Sequence, residues 1–230
     1  MKRETLDALL DERAERRPVA RLTWLDGDRE ALVWPGAPGL EAAVEDAVVQ
    51  ALHSDAAVVA ESAEGMVFVH PFNPPLRLVI VGAVHIAQHL AELAGRLGYD
   101  VTVVDPRRGF LTEARFPGVT LDARWPDEAL EAFGLDARSA VVTLSHDSKI
   151  DEPALSVALR SSAFYVGALG SRRTQAKRRE RLLEAGLEAV DLDRIHGPVG
   201  LDLGAKSPAE IALSVAAELT AVLRDRSAAS

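Results

Sequence analysis

Apolar positions in the first 75 residues follow short, changing periods. Residues 3–16 read as a polar, partly amphipathic helix with Leu6, Leu9 and Leu10 on one side. Residues 19–25 and 31–34 read as strands joined by Asp26-Gly27-Asp28, a hairpin turn signal. Residues 35–39 form a Pro/Gly loop, after which 40–53 place Val44, Val48 and Leu52 at helical spacing. Residues 57–60 and 66–69 pattern as a second strand pair around Glu64-Gly65. Pro71-Phe72-Asn73-Pro74-Pro75 predicts an end to regular structure, because proline lacks the ladder donor and breaks a helix. We place a domain boundary there: a small α+β domain over 1–75 and a second domain over 76–230.

From residue 76 the pattern becomes strand, helix, strand. Apolar Leu78-Val79-Ile80-Val81 leads into a turn, and 85–97 carry Ile86, Leu90, Leu93, Ala94 and Leu97 on one helical face. Strands are predicted over 100–104, near 119–121, over 139–144 and over 164–167. Helices are predicted over 126–133, over 151–161 with Pro153 in the first turn, and over 171–185. Ser207-Pro208-Ala209-Glu210 is a capping box with Pro at the first helical position, opening a helix to about Leu223. This alternation predicts an α/β, Rossmann-like, mostly parallel sheet with helices on both faces.

The turn after the first of these strands is the sharpest chemical signal. Gly82-Ala83-Val84-His85-Ile86-Ala87, followed by Val101-Thr102-Val103-Val104-Asp105, has the layout of a dinucleotide-binding βαβ unit. The second fingerprint glycine, which lets backbone approach a pyrophosphate, is replaced by Val84. A valine there is expected to crowd the phosphate site. Asp105 stands where an acid binds a ribose hydroxyl, or else is a loop acid; Arg107 and Arg108 after it could favour a 2′-phosphate or simply be solvated. His85 opens the helix and could face a ligand over its N-terminus or serve as a packing histidine.

Bulk composition narrows the field. The chain of 230 residues is 48% apolar and carries a net charge of −9, which argues against general nucleic-acid binding and against an anionic membrane surface. No cysteine occurs, so disulfides, thiolate metal sites and cysteine nucleophiles are excluded. The first 17 residues are charged throughout with no apolar core of a leader, and no apolar run reaches membrane length; a cytoplasmic protein is expected.

Three further loops fall after predicted strands, where doubly wound sheets bind ligands. Ser145-His146-Asp147 follows 139–144; adjacent residues cannot form a catalytic triad, so these are ligand contacts or a helix cap. Gly167-Ala168-Leu169-Gly170-Ser171-Arg172-Arg173 follows the next strand. Two cations in a helix's first turn oppose the helix dipole, which suggests a bound anion or a partner carboxylate, against the plainer reading of a solvated basic helix. The glycine-dense run from His196 to Gly204, with Asp202, reads as a shaped loop near a site or a connector.

Taken together these motifs resemble the XdhC/CoxI family of molybdenum-hydroxylase maturation factors. The resemblance covers residues 76–225. It rests on the 82–87 turn, the Val104-Asp105-Pro106-Arg107 corner, Ser145-His146-Asp147 with Asp151, the 165–173 run, and His196 to Gly204 with Ser207 to Ala212. It implies a non-catalytic accessory protein that binds molybdenum cofactor (molybdopterin or its dinucleotide form) and helps deliver it to an apo-hydroxylase such as xanthine dehydrogenase. The implied cofactor-binding residues are Gly82, Val84, His85, Asp105, His146, Asp147, Gly170, Arg172, Arg173 and Asp202, with no catalytic and no metal-ligating residue. NAD(P) is the alternative ligand, in an oxidoreductase, though no Tyr-x-x-x-Lys or other hydride-relay pattern appears; a ligand-free scaffold docking a partner is the third reading. The family's N-terminal cysteine elements are missing: Leu40 and Glu64-Gly65-Met66 stand in their places. A sulfur relay within this chain is therefore not expected, and a sulfurtransferase or a second XdhC-like subunit is the implied source. A homodimer is a further expectation.

Overall fold

The computed structural model describes residues 2–224, which divide into two compact units at Pro74/Pro75. The first unit holds α1 (Arg3–Ala14), β1 (Val19–Trp24), β2 (Glu30–Val33), α2 (Ala42–Ser54), β3 (Val58–Ser62) and β4 (Gly65–Phe72). Its four strands form an antiparallel sheet in the order β2-β1-β4-β3. Ala20, Leu22, Val67 and Val69 pack against Val44, Val48, Ala51 and Leu52 of α2. On α1 only Leu9 is buried, while Leu6 and Leu10 stay exposed.

One expectation fails in this unit. Strand β4 runs on through Pro71 to Phe72 rather than stopping at Val69. The β3–β4 pairing ends at Val58↔Val69, whereas β1 continues alongside with Ala20↔Pro71 and Val19↔Phe72. Pro71 thus has a neighbour on one side alone, where its missing N–H costs no ladder bond.

The second unit holds β5 (Leu76–Val81), α3 (His85–Arg96), β6 (Tyr99–Val104), β7 (Thr120–Asp122), α4 (Pro126–Phe133), β8 (Ser139–Thr143), α5 (Ser148–Arg160), β9 (Tyr165–Ala168), α6 (Arg172–Glu184), α7 (Ala189–Leu192), β10 (Ile195–His196) and α8 (Pro208–Leu223). The sheet order is β10-β9-β8-β5-β6-β7, with every pairing parallel. Numbered within this unit it reads 6-5-4-1-2-3, the doubly wound arrangement, and its switch point lies between β5 and β8. Strands buried on both faces explain the unbroken apolar runs. Leu78, Ile80, Ala140 and Val142 pack on the α3/α8 side, while Val79, Val81, Val141 and Val166 pack on the α4/α5 side.

Element boundaries depart from expectation where side chains intervene. Helix α5 begins at Ser148 rather than Asp151, because the Asp147 carboxylate accepts from the Lys149 N–H at 3.0 Å and caps it. Pro153 therefore lies inside the helix, beyond its first turn. The short α7 and β10 carry too few residues to show a period; His196, read as loop, pairs with Gly167 as the last strand. The Ser207 capping box forms as expected: Ser207 Oγ accepts from Glu210 N at 3.2 Å, and the Glu210 carboxylate accepts from Ser207 N at 2.8 Å. Replacing Ser207 with Ala is expected to lower the unfolding free energy by about 1 kcal/mol, read by urea denaturation.

Candidate functional site at the carboxyl edge of the parallel sheet

Because all six strands of the second unit run the same way, their outgoing loops share one edge. That edge brings Gly82, Val84 and His85 after β5, Asp105 after β6, His146 and Asp147 after β8, and Gly170, Arg172 and Arg173 after β9 to one side of the sheet. The loop carrying Asp202 follows β10 there.

The glycine turn is built for contact with its neighbour. Gly82 has φ +102°, and a Cβ on it would lie 2.8 Å from Ser145 N and 2.9 Å from Ser145 Cα. The loops after β5 and β8 therefore touch at the switch point, and no other residue fits there. The N–H donors of this turn are already used: Gly82 N donates to Val104 O at 2.8 Å, Val84 N to Gly82 O at 2.9 Å, and Ala83 N to Asp105 Oδ2 at 2.8 Å. Val84 has an ordinary extended backbone, and its half-buried side chain packs against the α3-side core. Residues 82–84 thus keep no N–H for a ligand, while the first turn of α3 has no side-chain cap. His85 is exposed at the start of α3, which no side chain caps.

Asp105 is fully buried. Its Oδ1 accepts from Arg107 N and Nε, each at 2.9 Å; its Oδ2 accepts from Arg107 Nη2 and Ala83 N, each at 2.8 Å. Burial works to raise this carboxyl, but the Arg107 and Ala83 hydrogen bonds outweigh it and hold it below the usual range, while the same pairing raises Arg107. With two donors on each oxygen, Asp105 fastens the glycine turn to the β6 corner and has no oxygen free for a ribose hydroxyl. Arg107 is engaged in the same way, whereas Arg108 stays exposed.

After β8, Ser145 Oγ donates to Asp151 Oδ1 at 2.6 Å and accepts from Asp147 N at 3.1 Å. His146 is exposed with φ +62°, a left-handed conformation uncommon for a residue with a side chain. Asp151, buried within α5, has its Oδ2 3.6 Å from Arg178 Nη2, too far for a hydrogen bond, and that oxygen has no other partner among the described residues. Burial pushes the Asp151 carboxyl up and Arg178 down, each towards its neutral form.

After β9, Gly170 takes φ +134°, and a Cβ there would meet Thr174 Cγ2 at 2.9 Å. Ser171 caps α6 through Thr174 N at 3.2 Å. The basic helix then divides. Arg178 turns inward to Leu169 O, Arg179 pairs with Asp193, and Arg181 pairs with Glu152. Arg172, Arg173 and Lys177 remain exposed, with no ion pair among the described residues.

Sequence reasoning missed a third carboxylate hub. Glu218 on α8 accepts from Tyr165 Oη and from Gly200 N (2.9 Å), and lies 3.6 Å from His196 Nδ1; the His196 ring stacks on Tyr165 at 4.5 Å between centroids. Burial opposes the Glu218 charge, but these donors leave its carboxyl below the usual range, while burial and Glu218 push the Tyr165 hydroxyl well up. Glu218 sits far from every loop motif, so only the fold reveals it. Asp202 is exposed in the loop this hub supports.

A groove of about 880 Å3 opens elsewhere, beside Tyr99 to Thr102 of β6. None of the ten candidate binding residues lines it, and two of its lining arginines are already paired: Arg77 with Asp136 at 2.9 Å and Arg96 with Glu92 at 3.1 Å. The carboxyl edge is the better candidate. No group of three or more His, Asp or Glu side chains suited to a metal ion occurs among the described residues.

A doubly wound parallel sheet with helices on both faces defines a Rossmann-like domain. Residues 78–219 match the XdhC Rossmann domain, and the chain belongs to the XdhC family. It is 34% identical over 151 residues to the "Molybdenum cofactor insertion chaperone PaoD" of Escherichia coli (strain K12), covering 66% of this chain and 41% of that protein. It is 33% identical over 153 residues to a probable xanthine dehydrogenase subunit of Bacillus subtilis (strain 168), covering 66% and 44%. The chain thus spans less than half the length of these curated relatives. A crystal structure described as a xanthine dehydrogenase from Bacillus halodurans superposes with TM-score 0.70 at 26% identity, covering 99% of this chain and 66% of that one.

Two outcomes follow from this geometry. A depressed folded-state pKa means that the Asp105 contribution is complete above the unfolded value of about 3.9 and is lost as pH falls through the folded value. The stability difference between wild type and Asp105→Asn should therefore be constant from about pH 5 to 7 and shrink below about pH 4, read by urea melts across pH. Val84→Gly should cost about 1–2 kcal/mol through lost packing and added backbone freedom, and should leave calorimetric NAD affinity no stronger.

Proposed function

We propose that this chain is an accessory protein of a molybdenum hydroxylase, which holds molybdenum cofactor as cargo at the carboxyl edge and presents it to the apo-enzyme. Membership of the XdhC family supports the reading, as do the names of two relatives. The observation that carries it against an NAD(P) oxidoreductase is the state of Asp105 and the glycine turn. The acid that would select ribose is already satisfied within the protein, and the N–H groups of Gly82, Ala83 and Val84 are spent on it and on backbone carbonyls.

The cargo is instead held where capacity is left. Arg172 and Arg173 offer planar donor forks to phosphate oxygens. His85, His146 and Asp202 orient the remainder, while Gly82, Val84, Asp105, Asp147 and Gly170 shape the loops. The donor set suits the organic part of the cofactor and not its metal: there is no thiolate, and no metal-ligating cluster among the described residues. Sulfur must then come from elsewhere, through a sulfurtransferase or a second protein of the family. Pairing with another copy is part of the same proposal.

Isothermal calorimetry with molybdopterin, molybdopterin cytosine dinucleotide, NAD and NADP tests this. Heat is expected for a molybdopterin form and none for NAD or NADP. Arg172→Glu with Arg173→Glu should weaken the molybdopterin form about ten-fold or more. Binding of NAD alone, or of none of the four, would overturn the reading.

A further inference from the structure

Helix α3 carries two of the six histidines of the chain, His85 and His89, in the run His85-Ile86-Ala87-Gln88-His89. They are four residues apart, and no other two histidines stand so close in sequence. On a helix, positions i and i+4 lie one above the other on the same face, with Cβ atoms about 6 Å apart. Helical side chains lean towards the N-terminus, so the His89 ring lies over the turn that begins at His85.

Both histidines are exposed, whereas Ala87, Leu90, Ala91 and Ala94 form the buried face of the helix. Neither imidazole has a hydrogen bond, ion pair or ring contact among the described residues. The helix itself is held firmly. Leu90 is fully buried, and Gln88 Nε2 donates to Arg115 O at 3.1 Å. The two rings are therefore presented together on a fixed support. Glu92 is the next residue along the same face, and it is engaged with Arg96 at 3.1 Å.

Two imidazoles one turn apart are the spacing by which a helix grips a metal ion through both rings. Imidazole nitrogen suits zinc, nickel and copper, whereas magnesium and calcium take oxygen donors. The helix dipole opposes a cation at this end, but its effect falls off within the first turn, and His89 lies one turn in. No group of three or more donors completes the set among the described residues, so an ion held here keeps open positions. We propose that His85 and His89 together bind a divalent transition-metal ion such as Zn2+ or Ni2+, exchangeably, with its other positions filled by water or by a donor from outside the chain. The site stands on α3 alone and goes beyond the proposed function, whose phosphate contacts lie at Arg172 and Arg173.

The test is isothermal calorimetry of the untagged full chain with Zn2+ and Ni2+, with Mg2+ as the control ion. One ion per chain is expected for Zn2+ and for Ni2+, and no heat for Mg2+. His85→Ala and His89→Ala should each weaken Zn2+ binding about ten-fold or more. His53→Ala, which removes an exposed histidine in the first unit, should leave it unchanged. Saturating Zn2+ should also raise the urea midpoint of wild type and not that of His89→Ala, because an ion that bridges one helical turn binds only the folded chain.

Both rings are exposed, so the variants should keep the far-UV spectrum of wild type, which separates loss of a ligand from a change of fold. No saturable heat with either ion, equal Zn2+ affinity in wild type and His89→Ala, or Mg2+ binding as tight as Zn2+ would overturn the site. Equal weakening by all three histidine variants would do the same, since binding would then be spread over surface imidazoles. Each of these results leaves the proposed function standing. A chain that binds Zn2+ through this pair but takes no molybdopterin form keeps the site and loses the proposed function.

Discussion

The carboxylate of Asp105 sits beneath the carboxyl edge of the parallel sheet and accepts four hydrogen bonds at once, one from the glycine turn and three from Arg107. A buried charge is tolerable only when its lone pairs are filled, and here they are. The arrangement fixes the turn that Gly82 brings against Ser145 at the switch point. It also commits the residue that a dinucleotide-binding domain would turn towards its ligand. The Rossmann layout is kept while its ribose acid faces inward.

The same economy recurs along the edge. Asp151 holds the Ser145 loop and faces Arg178 from the next helix, and Glu218 gathers Tyr165, His196 and the Gly200 loop. Three buried or half-buried carboxylates thus tie the loops after β5, β8 and β10 to their neighbours. Among the described residues, Arg172, Arg173 and Lys177 stay without ion pairs at the head of α6, in a chain of net charge −9. In the proposed function these are the cations that take the cargo's phosphates.

Much of this architecture was legible in the sequence because it rests on local signals. The unbroken β-branched runs of β5 and β8, the period of α3 and the Ser207 capping box each announce their element without tertiary help. The same holds for the family, whose five motifs lie in order along 76–225. What could not be read depended on partners distant in sequence or on elements too short to show a period. Pro71 looks like a terminator until β3 is seen to stop short of it. Asp105 looks like a ribose acid until Arg107 is seen folded back upon it. Glu218 and Tyr165 are 53 residues apart and meet only in the fold. Motif spacing gave the positions around the edge but not their division of labour, which depends on which hydrogen-bonding groups are already taken.

The central claim is that this edge carries a molybdenum cofactor rather than a nicotinamide dinucleotide. The most direct measurement is native mass spectrometry of the chain purified from cells supplied with molybdate. The account predicts an added mass equal to molybdopterin or its dinucleotide, lost from the Arg172→Glu, Arg173→Glu variant. An added mass equal to NAD or NADP, retained in that variant, would contradict it.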